Sequence, residues 1–292
     1  MPSLVGPRKQ VLCRGFELSL IHSGAFLCGL ISVHQGRLGG RELFMVLTGW
    51  LVADLLLGEL FSQWIALKVV AGQVAVAWPR VVQGPFFFPY AQGEAPGWRL
   101  AATVNSLWLR WRKYLWPTWG SHLRTAFACV VLALVLGTWL GRRFLLFLSG
   151  GVWIAALLDL LAGKNAPLFV RGIAGLRLSL AWCLGALVLA SPGWGLLGVM
   201  ALVGLAAYAR TWERAGGGRR ATVLVNLVWG ILIVSLLLAK QPGAATFLAL
   251  TAVLERAFSW KAGDTWLARK WQLVPWLAAQ FCLALALAHW GG

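Results

Sequence analysis

The sequence predicts an all-α, polytopic transmembrane helical bundle, on three observations. Sixty per cent of its 292 residues are apolar and only 12% are charged, with a mean hydropathy of +0.75. A soluble chain of this length needs more charge on its surface. The apolar runs are long and continuous rather than alternating by two, which selects helices over a membrane barrel. The 26 Lys and Arg far outnumber the 9 Asp and Glu, giving a net charge of +17. In a soluble protein that surplus would suggest nucleic acid. Here the cations gather between apolar runs, where they specify topology, and no nucleic-acid partner is expected. The basic loops suit anionic lipid or an anionic substrate. Residues 1–292 read as one integral membrane domain with about nine spans.

The N-terminus, MPSLVGPRKQVLCRGFE, is basic and precedes an apolar run from Leu18 to Val33. No small-residue cleavage pattern follows, so it reads as a retained first span, about Leu18–His34, rather than a signal peptide. Span two is Leu43–Lys68, LFMVLTGWLVADLLLGELFSQWIALK, longer than the about 20 residues of helix that one crossing takes. It carries Asp54 and Glu59. A carboxylate at the bilayer centre costs roughly 2.5–3.5 kcal/mol on insertion scales, so both are expected to face protein, water or a cation. At about 100° per residue Asp54 lies about 140° round from Glu59, whereas Glu59, Ser62 and Gln63 share a face. This helix is expected to line an internal polar cavity with the other spans packed round it.

A long connection follows, from Val69 to Ser121. Its stretch WPRVVQGPFFFPYAQGEAPGW holds Pro79, Pro85, Pro89 and Pro96, which forbid a continuous helix. Residues 98–116 then read as an amphipathic interfacial helix. Leu100, Val104, Leu107, Trp108, Trp111 and Leu115 recur at helical spacing, and Arg99, Arg110 and Lys113 point elsewhere. Pro117 is expected to stop it.

Span three is Ala126–Leu140, with a tight turn at Arg142 and Arg143; span four is Phe144–Ala162, with Asp159 near its end. The link GKNAPLFVRG carries Lys164 and Arg171, and its Pro167 suits the first turn of span five, about Ile173–Ala190. The SPG turn leads to span six, Trp194–Tyr208, in which Gly195, Gly198 and Gly204 are expected to permit close helix contact. The loop ARTWERAGGGRR, span seven (Thr222–Ala239), the KQPG turn and span eight (Ala244–Phe258) come next. The polar loop SWKAGDTWLARKWQLV separates these from span nine, Pro275–Trp290. With nine spans, the five richest basic clusters fall on one face, which places the N-terminus in the cytoplasm and the C-terminus outside, in a plasma or inner membrane.

Five dispersed cysteines without CxxC, and four dispersed histidines, give no zinc-type site. Three polar groupings remain, all on the cytoplasmic face under this topology. The first is Glu59, Ser62, Gln63, Lys68 and Arg80. The second is Tyr208, Arg210, Glu213, Arg214, Arg219 and Arg220. The third is Lys164, Asn165 and Arg171.

In this pattern, and in YARTWERAGGGRRAT before span seven, the chain resembles the UbiA superfamily of intramembrane prenyltransferases. In that family an acid-rich run there is followed by Gly, Arg and Thr. The resemblance implies transfer of a prenyl group from a polyprenyl diphosphate, with Mg²⁺ held by carboxylates and phosphates. Carried over, it makes Glu59 and Glu213 the catalytic or metal-contacting acids. Lys68, Lys164, Arg171, Arg210 and Arg219 become the phosphate contacts. The stretch matching the family's first aspartate signature, FSQWIALK, has no acid, and in the second only Glu213 stands among arginines.

Two rival readings come from the residues alone. One is a non-catalytic membrane subunit or scaffold that binds lipid, quinone or pigment, which the scarcity of acids and the 19 tryptophans favour. The other is a small transporter, for which broken helices and an internal repeat would be the mark.

Overall fold

The computed structural model describes residues 21–33, 38–73, 96–110, 112, 116–163, 165–190, 192–261 and 266–290. Among the described residues every regular element is helical and there is no strand. The helices are α1 (Ile21–Ile31), α2 (Gly40–Trp50), a π-helical turn (Leu51–Leu56), α3 (Leu57–Gln73), α4 (Pro96–Arg110), α5 (Trp116–Leu140) and α6 (Arg142–Ala162). They continue with α7 (Ala166–Leu189), α8 (Trp194–Arg214), α9 (Gly218–Leu238), α10 (Pro242–Lys261) and α11 (Trp266–Trp290).

Six helical stretches are long and apolar enough to cross a bilayer: Gly40–Lys68, Trp119–Leu140, Arg142–Ala162, Pro167–Leu189, Trp194–Arg214 and Gly218–Leu238. Their outer faces carry large apolar side chains such as Trp153, Leu160 and Leu161, which only a lipid solvent makes favourable. The chain is a multi-pass, all-helical membrane protein.

The chain divides into two compact units, Met1–Gly58 with Val131–Gly292, and Glu59–Val130. In the larger unit the core centres on α7, where every residue from Leu180 to Val188 is buried. Within this unit α7, rather than the second span, is the helix the others enclose. The physical reason is small residues. A Cβ on Gly29 of α1 would collide with the Trp182 carbonyl, and one on Gly185 of α7 with the Phe26 carbonyl. Across the next interface a Cβ on Gly175 would lie 2.6 Å from the Gly204 carbonyl oxygen, and one on Gly204 2.8 Å from that of Gly175. Without a hydrophobic driving force between helices in lipid, such close backbone approach is what association rests on. Gly204 thus does what its spacing predicts. Gly198 meets nothing within 4 Å, and Gly195 is exposed.

The local signals at the helix ends are readable. Glu42, in the first turn of α2, accepts from the Gly39 N–H at 2.9 Å. A single residue, Gly141 at φ 116°, breaks α5 from α6, and Arg142 already belongs to α6. Asn165 caps α7 by accepting from the Leu168 N–H at 3.1 Å, with Pro167 in the first turn as expected.

Several boundaries differ from the sequence expectation; α7, for one, starts at Ala166 rather than about Ile173. α5 starts at Trp116 rather than Ala126, with Pro117 in its first turn, where a proline forfeits no intrahelical bond. Most of ARTWERAGGGRR is helix: α8 runs to Arg214 and α9 starts at Gly218. Charge there marks a helix emerging from lipid, and only the glycines interrupt it, with Gly216 at φ 82° and Gly218 at φ 59°. Pro275 lies inside α11, which begins at Trp266, and α10 extends to Lys261. The expected loop between spans eight and nine is therefore helical on both sides of residues 262–265.

In the smaller unit, α4 buries Ala101, Ala102 and Asn105, while Leu100, Leu107 and Trp108 are exposed. These three belong to the apolar stripe noted from spacing, of which Trp111 and Leu115 lie outside the described residues.

Candidate functional site: a four-charge cluster where three helices end

The end of α8, the start of α9 and the end of α10 meet at the richest polar cluster of the larger unit. The short turn after α8 brings α9 back alongside it. Thr222 Oγ1, one turn into α9, donates to Glu213 Oε1 at 2.9 Å. Glu213 Oε2 takes Arg210 Nη1 at 2.9 Å, an i,i+3 pair within α8. From α10, Arg256 Nη1 reaches Glu213 Oε1 at 2.6 Å. The same guanidinium donates to Asn226 Oδ1 from Nη2 at 2.8 Å and from Nε at 3.1 Å, and to the Thr222 carbonyl at 3.3 Å. Arg210 also pairs with Glu255, which is 4% exposed. Two arginines and two glutamates cancel, which is how charge is sustained where water is scarce.

Of the residues expected here, Arg210 and Glu213 are together as their spacing implies. Arg171 sits on α7 with its guanidinium 6.0 Å from the centre of the Trp212 ring, a cation–π contact with α8. Arg219 is exposed in the first turn of α9. Lys164 lies outside the described residues. Thr222 and Asn226 escaped the sequence reading, and from sequence Glu255 and Arg256 read only as the close of span eight. The available signal was that the end of span eight shares a membrane face with the span six–seven junction.

Glu59, Lys68 and Asp54 stand apart from this cluster in the chain. In the smaller unit Glu59 is exposed and accepts from the Gln63 amide, whose oxygen meets His122 Nδ1. Lys68 is half-buried on α3. In the larger unit Asp54 is buried in the π turn, where Ser23 Oγ of α1 donates to Asp54 Oδ2 at 2.8 Å. The Trp50 indole donates to Ser23 Oγ at 3.0 Å. Residues 51–56 do not keep the 100° step of an α-helix, so the angle expected between the two acids does not carry through them.

Of these carboxylates, Glu213 has both oxygens engaged as it is arranged, by Arg210, Arg256 and Thr222, and Glu255 and Glu59 have one each, engaged by Arg210 and by Gln63. Mg²⁺ binds through carboxylates free to turn oxygens to it. Among the described residues no three His, Cys, Asp or Glu converge.

A groove of about 650 Å³ runs between α10 and α11, lined by Ala244, Phe247, Ala278, Phe281 and Leu285, with Gln241 and His289 at one end. Gln241 Nε2 ties the two helices together by donating to the Ala286 carbonyl at 2.7 Å. Compared with known proteins, the chain matches no family model, no curated protein and no solved structure.

Proposed function

We propose that this chain is a non-catalytic membrane protein that binds an isoprenoid or similar lipid-phase amphiphile. The carrying observation is the α10–α11 groove. Its volume is that of a small-molecule site, its walls are alkyl and aromatic, and its polar groups, Gln241 and His289, gather at one end. A long apolar tail lies along such walls, and a neutral polar head meets the amide and imidazole. The committed state of Glu213 supports binding over metal-dependent transfer. We place the chain in a plasma or inner membrane with nine spans, α1, α10 and α11 adding to the six long ones, and with the N-terminus cytoplasmic.

The test is extraction. Protein purified from membranes and stripped with organic solvent should release an isoprenoid or neutral lipid in stoichiometric amount. Ala244→Trp with Ala278→Trp, which fills the groove, should lose it. Release of nothing beyond bulk phospholipid would defeat the proposal.

A prenyltransferase of the UbiA kind is the second reading. The observation favouring it is the Thr222–Glu213 hydrogen bond, which joins the acid and the threonine of the segment that carries the resemblance. It requires Mg²⁺-dependent transfer from a polyprenyl diphosphate, abolished by Glu213→Gln.

A further inference from the structure

Three side chains that line the α10–α11 groove carry hydrogen-bond donors, and each is turned to a backbone carbonyl. Gln241 donates from Nε2 to Ala286 at 2.7 Å. Cys282 donates from Sγ to Ala244 at 3.7 Å. His289 meets the Leu285 carbonyl through Nδ1 at 2.8 Å. The last contact fixes a tautomer. A carbonyl oxygen only accepts, so Nδ1 carries the proton, and the neutral imidazole keeps Nε2 as a lone pair. Gln241 likewise keeps Oε1, and one of its two amide protons remains. At its polar end the groove therefore offers two side-chain acceptors, His289 Nε2 and Gln241 Oε1, against one donor. Among the described residues that line it there is no Asp, Glu, Lys or Arg.

We propose that the groove selects a lipid-phase alcohol, an apolar tail that ends in a hydroxyl group. The hydroxyl donates to His289 Nε2 or Gln241 Oε1, and its oxygen accepts the remaining Gln241 N–H. A ketone, ester or ether brings acceptors only. It has one N–H to meet and leaves the imidazole lone pair without a partner. A phosphate or carboxylate sets its own lone pairs against these two acceptors with no Lys or Arg beside it, and an ammonium group finds no carboxylate. The alkyl and aromatic walls take any such tail alike, so discrimination falls to the polar end. The inference rests on the reading of the chain as a binder of lipid-phase amphiphiles, and it adds the class of head group that the site takes.

The test is a titration of the full chain in lipid nanodiscs, following thermal stability, with farnesol and with farnesyl methyl ether. The ether keeps the tail and the oxygen and lacks the O–H. Both should stabilise wild type saturably, the alcohol with an affinity about fivefold higher. His289 is exposed in the last turn of α11, so His289→Phe keeps a ring there and removes the acceptor. It should erase most of the preference for farnesol and leave the ether unchanged. Ala244→Trp with Ala278→Trp should abolish binding of both. Equal affinity of wild type for the two probes, lost when the groove is filled, would overturn the choice of head group and leave the proposed function standing. A preference for the alcohol that His289→Phe and Gln241→Leu both keep in full would overturn the assignment of these acceptors. A wild type that binds neither probe would overturn both this inference and the reading beneath it.

Discussion

Arg256, near the end of α10, donates to Glu213, near the end of α8, at 2.6 Å across 43 residues of chain. Through Thr222 and Asn226 the same pair holds the start of α9. One carboxylate and one guanidinium therefore join three helices at a single membrane face. Both are partly exposed, so screening reduces the pair's strength. A double-mutant cycle with Glu213→Gln and Arg256→Gln should give a coupling energy on the order of 1 kcal/mol, read from thermal or denaturant unfolding in detergent. Additive effects would reduce the contact to a bystander.

Glu255 is more deeply buried than Glu213 and faces Arg210. Glu255→Leu leaves that guanidinium with Glu213 alone in poorly hydrated surroundings. It should destabilise more than Glu213→Gln, by about 3 kcal/mol. Unfolding of both variants under identical conditions checks the order.

The four-charge cluster also predicts indifference to magnesium. Since Arg210, Arg256 and Thr222 already occupy Glu213, adding Mg²⁺ or a chelator should leave the melting temperature of the ligand-free protein unchanged. A saturable rise with Mg²⁺, lost in Glu213→Gln, would favour the transferase reading instead.

Gly204 and Gly198 lie six residues apart on α8 and should respond oppositely to a larger side chain. Gly204 presses on Ser179 and on the Gly175 backbone, while Gly198 faces open space. Gly204→Leu should destabilise by about 3 kcal/mol or abolish folding, since backbone cannot move aside. Gly198→Leu should express and melt like the parent. Size-exclusion profiles and melting curves of the two decide it.

At the π turn, Ser23 links the Trp50 indole to Asp54. Ser23→Ala deprives both of a partner and should cost about 1–3 kcal/mol. The loss should be smaller in an Asp54→Leu background, where only the indole contact remains to be broken.

Much of the helix plan was legible from residue order alone. Hydropathy located the long spans, and Pro167 announced a helix start, although span five was expected only from about Ile173 and α7 begins at Ala166. The Arg210–Glu213 pair lies at i,i+3 and needs nothing beyond one helix. Arg256 and Glu255 were visible only as a span end, because their partners lie 43 and 45 residues away. The extension of α8 through ARTWER was missed for a different reason: charge was read as loop, although Arg and Glu are good helix formers and only glycine stops them.

Residue order by itself determined that this chain folds as membrane-spanning helices. In hydrocarbon each backbone amide must be paired within its own segment, and long apolar runs leave no other arrangement. Tertiary structure alone decided which faces touch. To a leucine or an alanine, lipid and a neighbouring helix are nearly the same solvent, so hydropathy does not separate the buried side of α7 from the lipid side of α6. Close backbone approach at Gly29, Gly175, Gly185 and Gly204, and the pairing of Arg210 and Arg256 with Glu213, make that choice.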